Sequence, residues 1–164
     1  MTRNKMSRRA VLGAAALLPF AAIPFLRRAD ATPSGAFEVT RSEAEWRAML
    51  TPAEYRVLRE EGTERAGSSP LDKVYDPGLY HCKGCDLAVY SSEHKYDSRT
   101  GWPSFWEALP DAVRTKPDRK FFMVRTEVHC RRCGSHFGHV FDDGPPPTGK
   151  RHCLNGIALS FVPA

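Results

Sequence analysis

The chain has 164 residues, 41% hydrophobic and 10% aromatic, enough for one core plus an appendage, which excludes a wholly disordered chain. Its net charge of +5 lies in residues 1–31, where six basic side chains face one acid, whereas residues 32–164 hold 18 of each sign. Charge therefore gives no argument that the body of the chain binds nucleic acid.

Residues 1–31 read as an export signal. Arg3 and Lys5 lead into Ser7-Arg8-Arg9-Ala10-Val11-Leu12, and an apolar stretch runs over residues 10–26, broken by Pro19 and Pro24. Ala29-Asp30-Ala31 is a small-x-small site that predicts cleavage after Ala31. The arginine pair resembles a twin-arginine signal, with Val11 where that motif favours Phe. A membrane anchor is the competing reading, but a spanning helix wants about 20 residues without such breaks. The expectation is a body of residues 32–164 exported to the periplasm, with no stable membrane anchor after cleavage.

Residues 32–37, with Pro33 and Gly35, form a linker. Ser42-Glu43-Ala44-Glu45 has the form of a capping box, and Trp46, Met49 and Leu50 follow at helical spacing. Thr51-Pro52-Ala53-Glu54 repeats the signal, and that helix should present Tyr55 and Leu58 to the core and stop at Gly62. Beyond it, β-type segments alternate with Gly and Pro: residues 78–81, 87–90, 121–129, 136–141 and 156–162. Phe122, Val124, Thr126 and Val128 alternate with Phe121, Met123, Arg125 and Glu127, as in a half-buried strand. Residues 142–149, rich in Gly and Pro, make a rigid loop. The fold class is mainly β, antiparallel, with short flanking N-terminal helices.

Four of the five cysteines form two CxxC units, Cys82-Lys83-Gly84-Cys85 and Cys130-Arg131-Arg132-Cys133. One tight turn presents both sulfurs of a unit to one ion, and two such turns make a tetrahedral structural zinc site, one zinc per chain. Gly84 and Gly134 supply backbone freedom for the turns. Two disulfides are the other reading in an oxidising compartment. A twin-arginine route favours zinc, because the protein would fold and load metal before export.

The fifth is Cys153, in Arg151-His152-Cys153-Leu154-Asn155. Cationic and hydrogen-bonding neighbours lower a thiol pKa and create a nucleophile. His136 and His139 lie three apart, which in an extended strand puts them on opposite faces, so a bend at Gly138 is needed for both to serve one site.

Several motifs now line up with a known family. Lys95-Tyr96-Asp97-Ser98 followed by Gly101-Trp102-Pro103-Ser104-Phe105 resembles the K-[FY]-D-S-x-x-G-W-P-S-F motif of type B methionine sulfoxide reductases. The run from His136 to Pro145 resembles that family's H-x-G-H-V-F-x-D-G-P, and Arg151 to Asn155 its R-[YFH]-C-[ILV]-N. The double CxxC and Gly62-Thr63-Glu64-Arg65 fit as well, so the likeness spans roughly residues 45–162. It implies an antiparallel fold of the β-tent type and reduction of methionine (R)-S-oxide in oxidised proteins or peptides. It also implies Cys153 as nucleophile, with His136, His139, Asn155 and Arg151 around it and Trp102 holding the substrate methyl. The electrons would come from a thioredoxin-like protein or a small thiol. Thr100 stands where many members carry a resolving cysteine, His152 replaces the commoner Tyr, and Gly156 stands where Ser is usual.

Two other functions compete. A non-enzymatic zinc-stapled β module binding a protein partner would need neither a reactive Cys153 nor an accessible Trp102. A nucleic-acid-binding zinc ribbon would need a basic body, which the charge count does not give.

Overall fold

The structure, a computed structural model, describes Met1 and residues 37–120 and 123–164. The export signal, residues 32–36 of the linker, and Phe121 and Phe122 lie outside the described residues. The first helix, α1 (Glu43–Met49), starts on Ser42, whose hydroxyl accepts the Glu45 N–H while the Glu45 carboxylate accepts the Ser42 N–H. The second, α2 (Pro52–Leu58), repeats this box with Thr51 and Glu54. Trp46, Leu50, Tyr55, Val57 and Leu58 are buried, while Met49 is 46% exposed. The second helix ends four residues before Gly62. The left-handed residue is Glu61 (φ 55), one before the expected glycine, and its carboxylate is gripped by Lys116 and Lys120.

Among the described residues nine strands follow: β1 (Gly78–Cys82), β2 (Ala88–Ser91), β3 (Lys95–Tyr96), β4 (Ser104–Phe105), β5 (Val113–Asp118), β6 (Arg125–Cys130), β7 (His136–Phe141), β8 (Arg151–Leu154) and β9 (Leu159–Pro163). They pair antiparallel throughout, as a three-stranded sheet β2-β1-β9 and a six-stranded sheet β3-β4-β8-β7-β6-β5. Tyr80, Tyr90 and Phe105 form the aromatic centre of the core, with ring centroids 4.9 and 4.7 Å apart.

Two strand expectations are corrected, and strand β5 is new. Of the segment expected over 121–129, Phe121 and Phe122 lie outside the described residues, Met123 and Val124 are exposed and outside the strand, and β6 starts at Arg125. The pattern marked no strand at Lys116 and Pro117, yet both lie in β5; it is an edge strand, where a missing N–H costs no ladder bond. The last apolar segment begins as a 3-10 turn, Gly156–Ala158, before β9. There the buried end of Glu64 accepts the Gly156 and Ile157 N–H groups, and the chain passes from one sheet to the other.

Candidate active site

Cys153 sits in β8 between β4 and β7. The register opposes Tyr96 to Ser104, Ser104 to Cys153, Cys153 to His139, His139 to Glu127, and Glu127 to Lys116. Directly opposed residues of antiparallel strands share a face. One transverse row thus crosses all six strands with the thiol at its middle.

The bend that the two histidines need is a β-bulge. Val128 pairs with Gly138 and His129 with His136, which leaves Phe137 as an extra residue on β7. The extra residue reverses the alternation and brings the His136 and His139 rings to 5.5 Å, edge to face. Gly138 is obligatory for a different reason: a Cβ there would meet the Cys153 carbonyl oxygen at 2.1 Å.

Each imidazole has its own carboxylate. His139 Nε2 lies 2.8 Å from Asp118 Oδ2, which also accepts from Arg125 at 2.6 Å. Burial pushes Asp118 up, but these bonds and that from the Lys120 N–H hold it at about 2. An ionised carboxylate only accepts, so Nε2 carries the hydrogen and Nδ1 is left as the ring's basic atom. Burial lowers the His139 pKa, and the Asp118 bond offsets only part of this. His136 Nδ1 donates to Glu127 Oε1 at 2.9 Å, and its buried Nε2 has no partner among the described residues. Burial raises Glu127, but His136 and Lys116 outweigh it and keep the carboxyl below its ordinary value.

Cys153 opens into a cleft of about 150 Å³, lined among others by Thr63, Trp102, Arg125, His139, Phe141 and Asn155. His136 stands behind His139 and does not line it. A larger cavity of about 540 Å³ lies beyond Glu64 and contains neither Cys nor His, so size alone does not select the reactive site. Trp102 is pinned by its Nε1, which donates to the Glu64 carbonyl at 3.2 Å. Asn155 touches the cleft, yet both amide atoms serve the backbone: Oδ1 accepts the Glu64 N–H and Nδ2 donates to the Phe137 carbonyl. It ties the Thr63–Glu64 wall to the bulge.

Burial and the cationic and hydrogen-bonding neighbours act on the thiol in opposite directions. Burial pushes Cys153 above its usual 9.0, and the Thr100 hydroxyl at 3.9 Å and the Arg151 charge only partly oppose it. Arg151 makes two bonds to Asp143, at 2.9 and 2.8 Å, and stacks on Phe141. His152 takes no part, because its Nδ1 lies 3.0 Å from the Tyr90 hydroxyl and burial, then the Lys150 charge, lowers its pKa to about 4. Sequence reasoning missed Thr63, Arg125 and Asp118. The first two carry no chemical signature, and Asp118 lies in a segment that the sequence pattern did not mark as a strand.

The four CxxC sulfurs converge at the ends of β1 and β6, all within 4.8 Å of one another. Cys82 and Cys133 Sγ are 3.6 Å apart and Cys85 and Cys130 Sγ 3.5 Å. Thiolates on a tetrahedral ion at about 2.3 Å lie about 3.8 Å apart, whereas a disulfide closes to about 2.05 Å. The donors therefore fit a four-coordinate metal such as zinc, not two disulfides. Arginines suit the net negative charge such a centre would carry: Arg59 donates to the Cys133 carbonyl at 3.1 Å and Arg132 to that of Cys85 at 3.2 Å. The left-handed residues after the two units are Asp86 (φ 60) and Gly134 (φ 69). Gly84 is not left-handed; it is required for space, since a Cβ would meet Ser135 Oγ at 2.6 Å.

The SelR domain family matches residues 50–163. The chain is 52% identical over 124 residues, 75% of its length, to a peptide methionine sulfoxide reductase MsrB of Methanosarcina barkeri, of which 87% is covered. It is 53% identical, again over 75% of its length, to a protein of the same name from Thiobacillus denitrificans, of which 94% is covered. A peptide methionine sulfoxide reductase B2, chloroplastic, of Arabidopsis thaliana is 46% identical over 76% of this chain and 62% of its own.

Proposed function

We infer the reaction from one premise: this chain belongs to the SelR-domain, or methionine sulfoxide reductase B, family. It reduces methionine sulfoxide with electrons from a thiol. We propose that it acts on the R epimer in oxidised proteins, through a Cys153 sulfenic acid. The observation that carries this is the thiol opposed to a carboxylate-held imidazole, His139, in a cleft walled by Trp102.

Near neutral pH burial keeps Cys153 protonated and His139 neutral, so the pair holds one transferable proton. Transfer from Sγ to His139 Nδ1 makes the nucleophile and the acid in one step. The sulfide anion attacks the electrophilic sulfoxide sulfur, the imidazolium protonates the oxygen, and the oxygen passes to Cys153. Methionine leaves, reduced by two electrons, and Cys153 is oxidised by two to Cys–SOH. One external thiol then displaces water to form a mixed disulfide, and a second releases Cys153 and a disulfide. The Trp102 face suits the sulfur-bound methyl by apolar and sulfur–aromatic contact. Arg151, locked on Asp143, supplies positive charge to the reacting sulfur.

Cys82, Cys85, Cys130 and Cys133 would hold one structural zinc per chain. The reductant is a thioredoxin-like protein or a small thiol, and the substrates are exported proteins, reached in the periplasm after cleavage behind Ala31. The test is dithiothreitol-dependent reduction of dabsyl-methionine R- and S-sulfoxide by wild type and Cys153→Ser. Wild type reduces the R epimer alone, and Cys153→Ser is inactive yet folded. Preference for S, or activity in Cys153→Ser, overturns the assignment.

A further inference from the structure

On the side of Cys153 away from His139 the transverse row continues into hydroxyl groups. Ser104 opposes Cys153 and Tyr96 opposes Ser104. Thr100 Oγ1 is 3.9 Å from Cys153 Sγ, and Ser98 Oγ bridges Thr100 and Ser104 at 2.8 and 2.7 Å. The Tyr96 phenol oxygen is buried, has no hydrogen-bond partner among the described residues, and lies within electrostatic reach of Arg151 and Cys153. A buried hydroxyl left unpaired costs free energy, and such groups normally have an explanation. Besides His139 on the other side, Thr100, Ser104 and Arg151 act on Cys153, and the other four thiols face one another.

We propose that Tyr96 and Thr100 form an oxygen site that holds Cys153 sulfenic acid until an external thiol arrives. The inference deepens the assignment of Cys153 as nucleophile and rests on it. An oxygen added to Sγ toward Thr100 shortens the sulfur contact into an ordinary O–H···O bond. A hydroxyl both donates and accepts, so Thr100 takes the sulfenic O–H while Tyr96 donates its hydrogen to the sulfenic oxygen. Ser98 and Ser104 fix the Thr100 rotamer; Ser104 in turn donates to the Trp102 carbonyl at 3.1 Å. The acid held this way is neutral and capped, which slows attack by its oxygen-bearing sulfur on further peroxide and so slows the step to sulfinic acid.

The experiment follows the Cys153 peptide by mass spectrometry with dimedone trapping, without reductant. In one arm the full chain receives methionine R-sulfoxide and then peroxide; in the other, one equivalent of peroxide and then an excess. In both variants Tyr96→Phe, which removes one oxygen, and Thr100→Val, sulfenic acid is lost to sulfinic acid roughly three- to tenfold faster than in wild type, the span expected for one hydrogen bond. Thr100→Ser restores the wild-type lifetime. Lifetimes equal to wild type in both variants overturn the oxygen site. The peroxide arm needs no reductase activity. If wild type releases no methionine but the hydroxyls still protect peroxide-made sulfenic acid, the reductase reading falls and the oxygen site stands.

Discussion

At the scale of single residues, the site depends on one extra amino acid. Phe137 turns a three-residue interval that would split His136 and His139 into one that stacks them, and Gly138 lets β7 approach the Cys153 carbonyl. The structure gathers Cys153, His139 and Trp102, which the resemblance put in one site, around one cleft; strand periodicity showed that a bend was needed but put it at Gly138, whereas the bulge falls on Phe137. The thiol's raised pKa was not legible, because sequence shows Arg151 beside Cys153 but not the burial that outweighs it. The shifts carry a pH prediction. The reactive pair must hold one proton. Below the lowered His139 pKa it holds two, and no thiolate is available; above the raised Cys153 pKa it holds none, and nothing protonates the oxygen. The pH profile of kcat/KM, which reports the free enzyme, should therefore be a broad plateau whose acid limb lies below 6.5 and whose basic limb lies above 9.0. Limbs inside those values would show that this pair does not set the rate.

At the scale of elements, capping boxes made both helices readable to within a residue at their starts, because the signal is local: Ser42 with Glu45 and Thr51 with Glu54. Their ends and the short strands were not. The two-residue strands β3 and β4 exist only through their partners, and β5 is held in the sheet by pairing with β6 despite Pro117. The pairing of the two CxxC units was legible from their spacing, but the choice between metal and disulfides and the left-handed turn at Asp86 were not. The two units join the end of β1, in the smaller sheet, to the end of β6, in the larger one. Structural zinc contributes about 10–16 kcal/mol of apparent binding free energy, comparable to the whole stability of about 5–15 kcal/mol of a typical domain. Replacing Cys82 or Cys133 with Ala, or stripping the metal with a chelator, should therefore unfold the domain, not loosen one loop. Near-UV circular dichroism read alongside metal content checks this. A metal-free protein with native near-UV signal would remove zinc from the account of folding.

At the scale of the whole molecule, the two parts of the chain obey different rules. All of the net charge sits in residues 1–31, and the neutral body behind them carries, among its described residues, a four-cysteine cluster fit for a metal and a fifth thiol apart from it. Four thiolates that need metal and a fifth that must stay reduced are poorly served by folding in an oxidising compartment, where disulfides would compete for the same sulfurs. A route that carries folded proteins resolves that conflict, because metal closes the cluster before the chain meets the oxidant. We propose that the arginine pair Arg8-Arg9 selects such a route. Changing Arg8 and Arg9 together to Lys, with the body untouched, should leave the precursor in the cytoplasm, folded and able to reduce methionine sulfoxide in extracts. Fractionation with an immunoblot of precursor and mature forms reads the outcome, and N-terminal sequencing of exported wild type should begin at Thr32. If the double Lys variant still reaches the periplasm as mature protein, the chain travels unfolded, and the cluster must then acquire its metal after export.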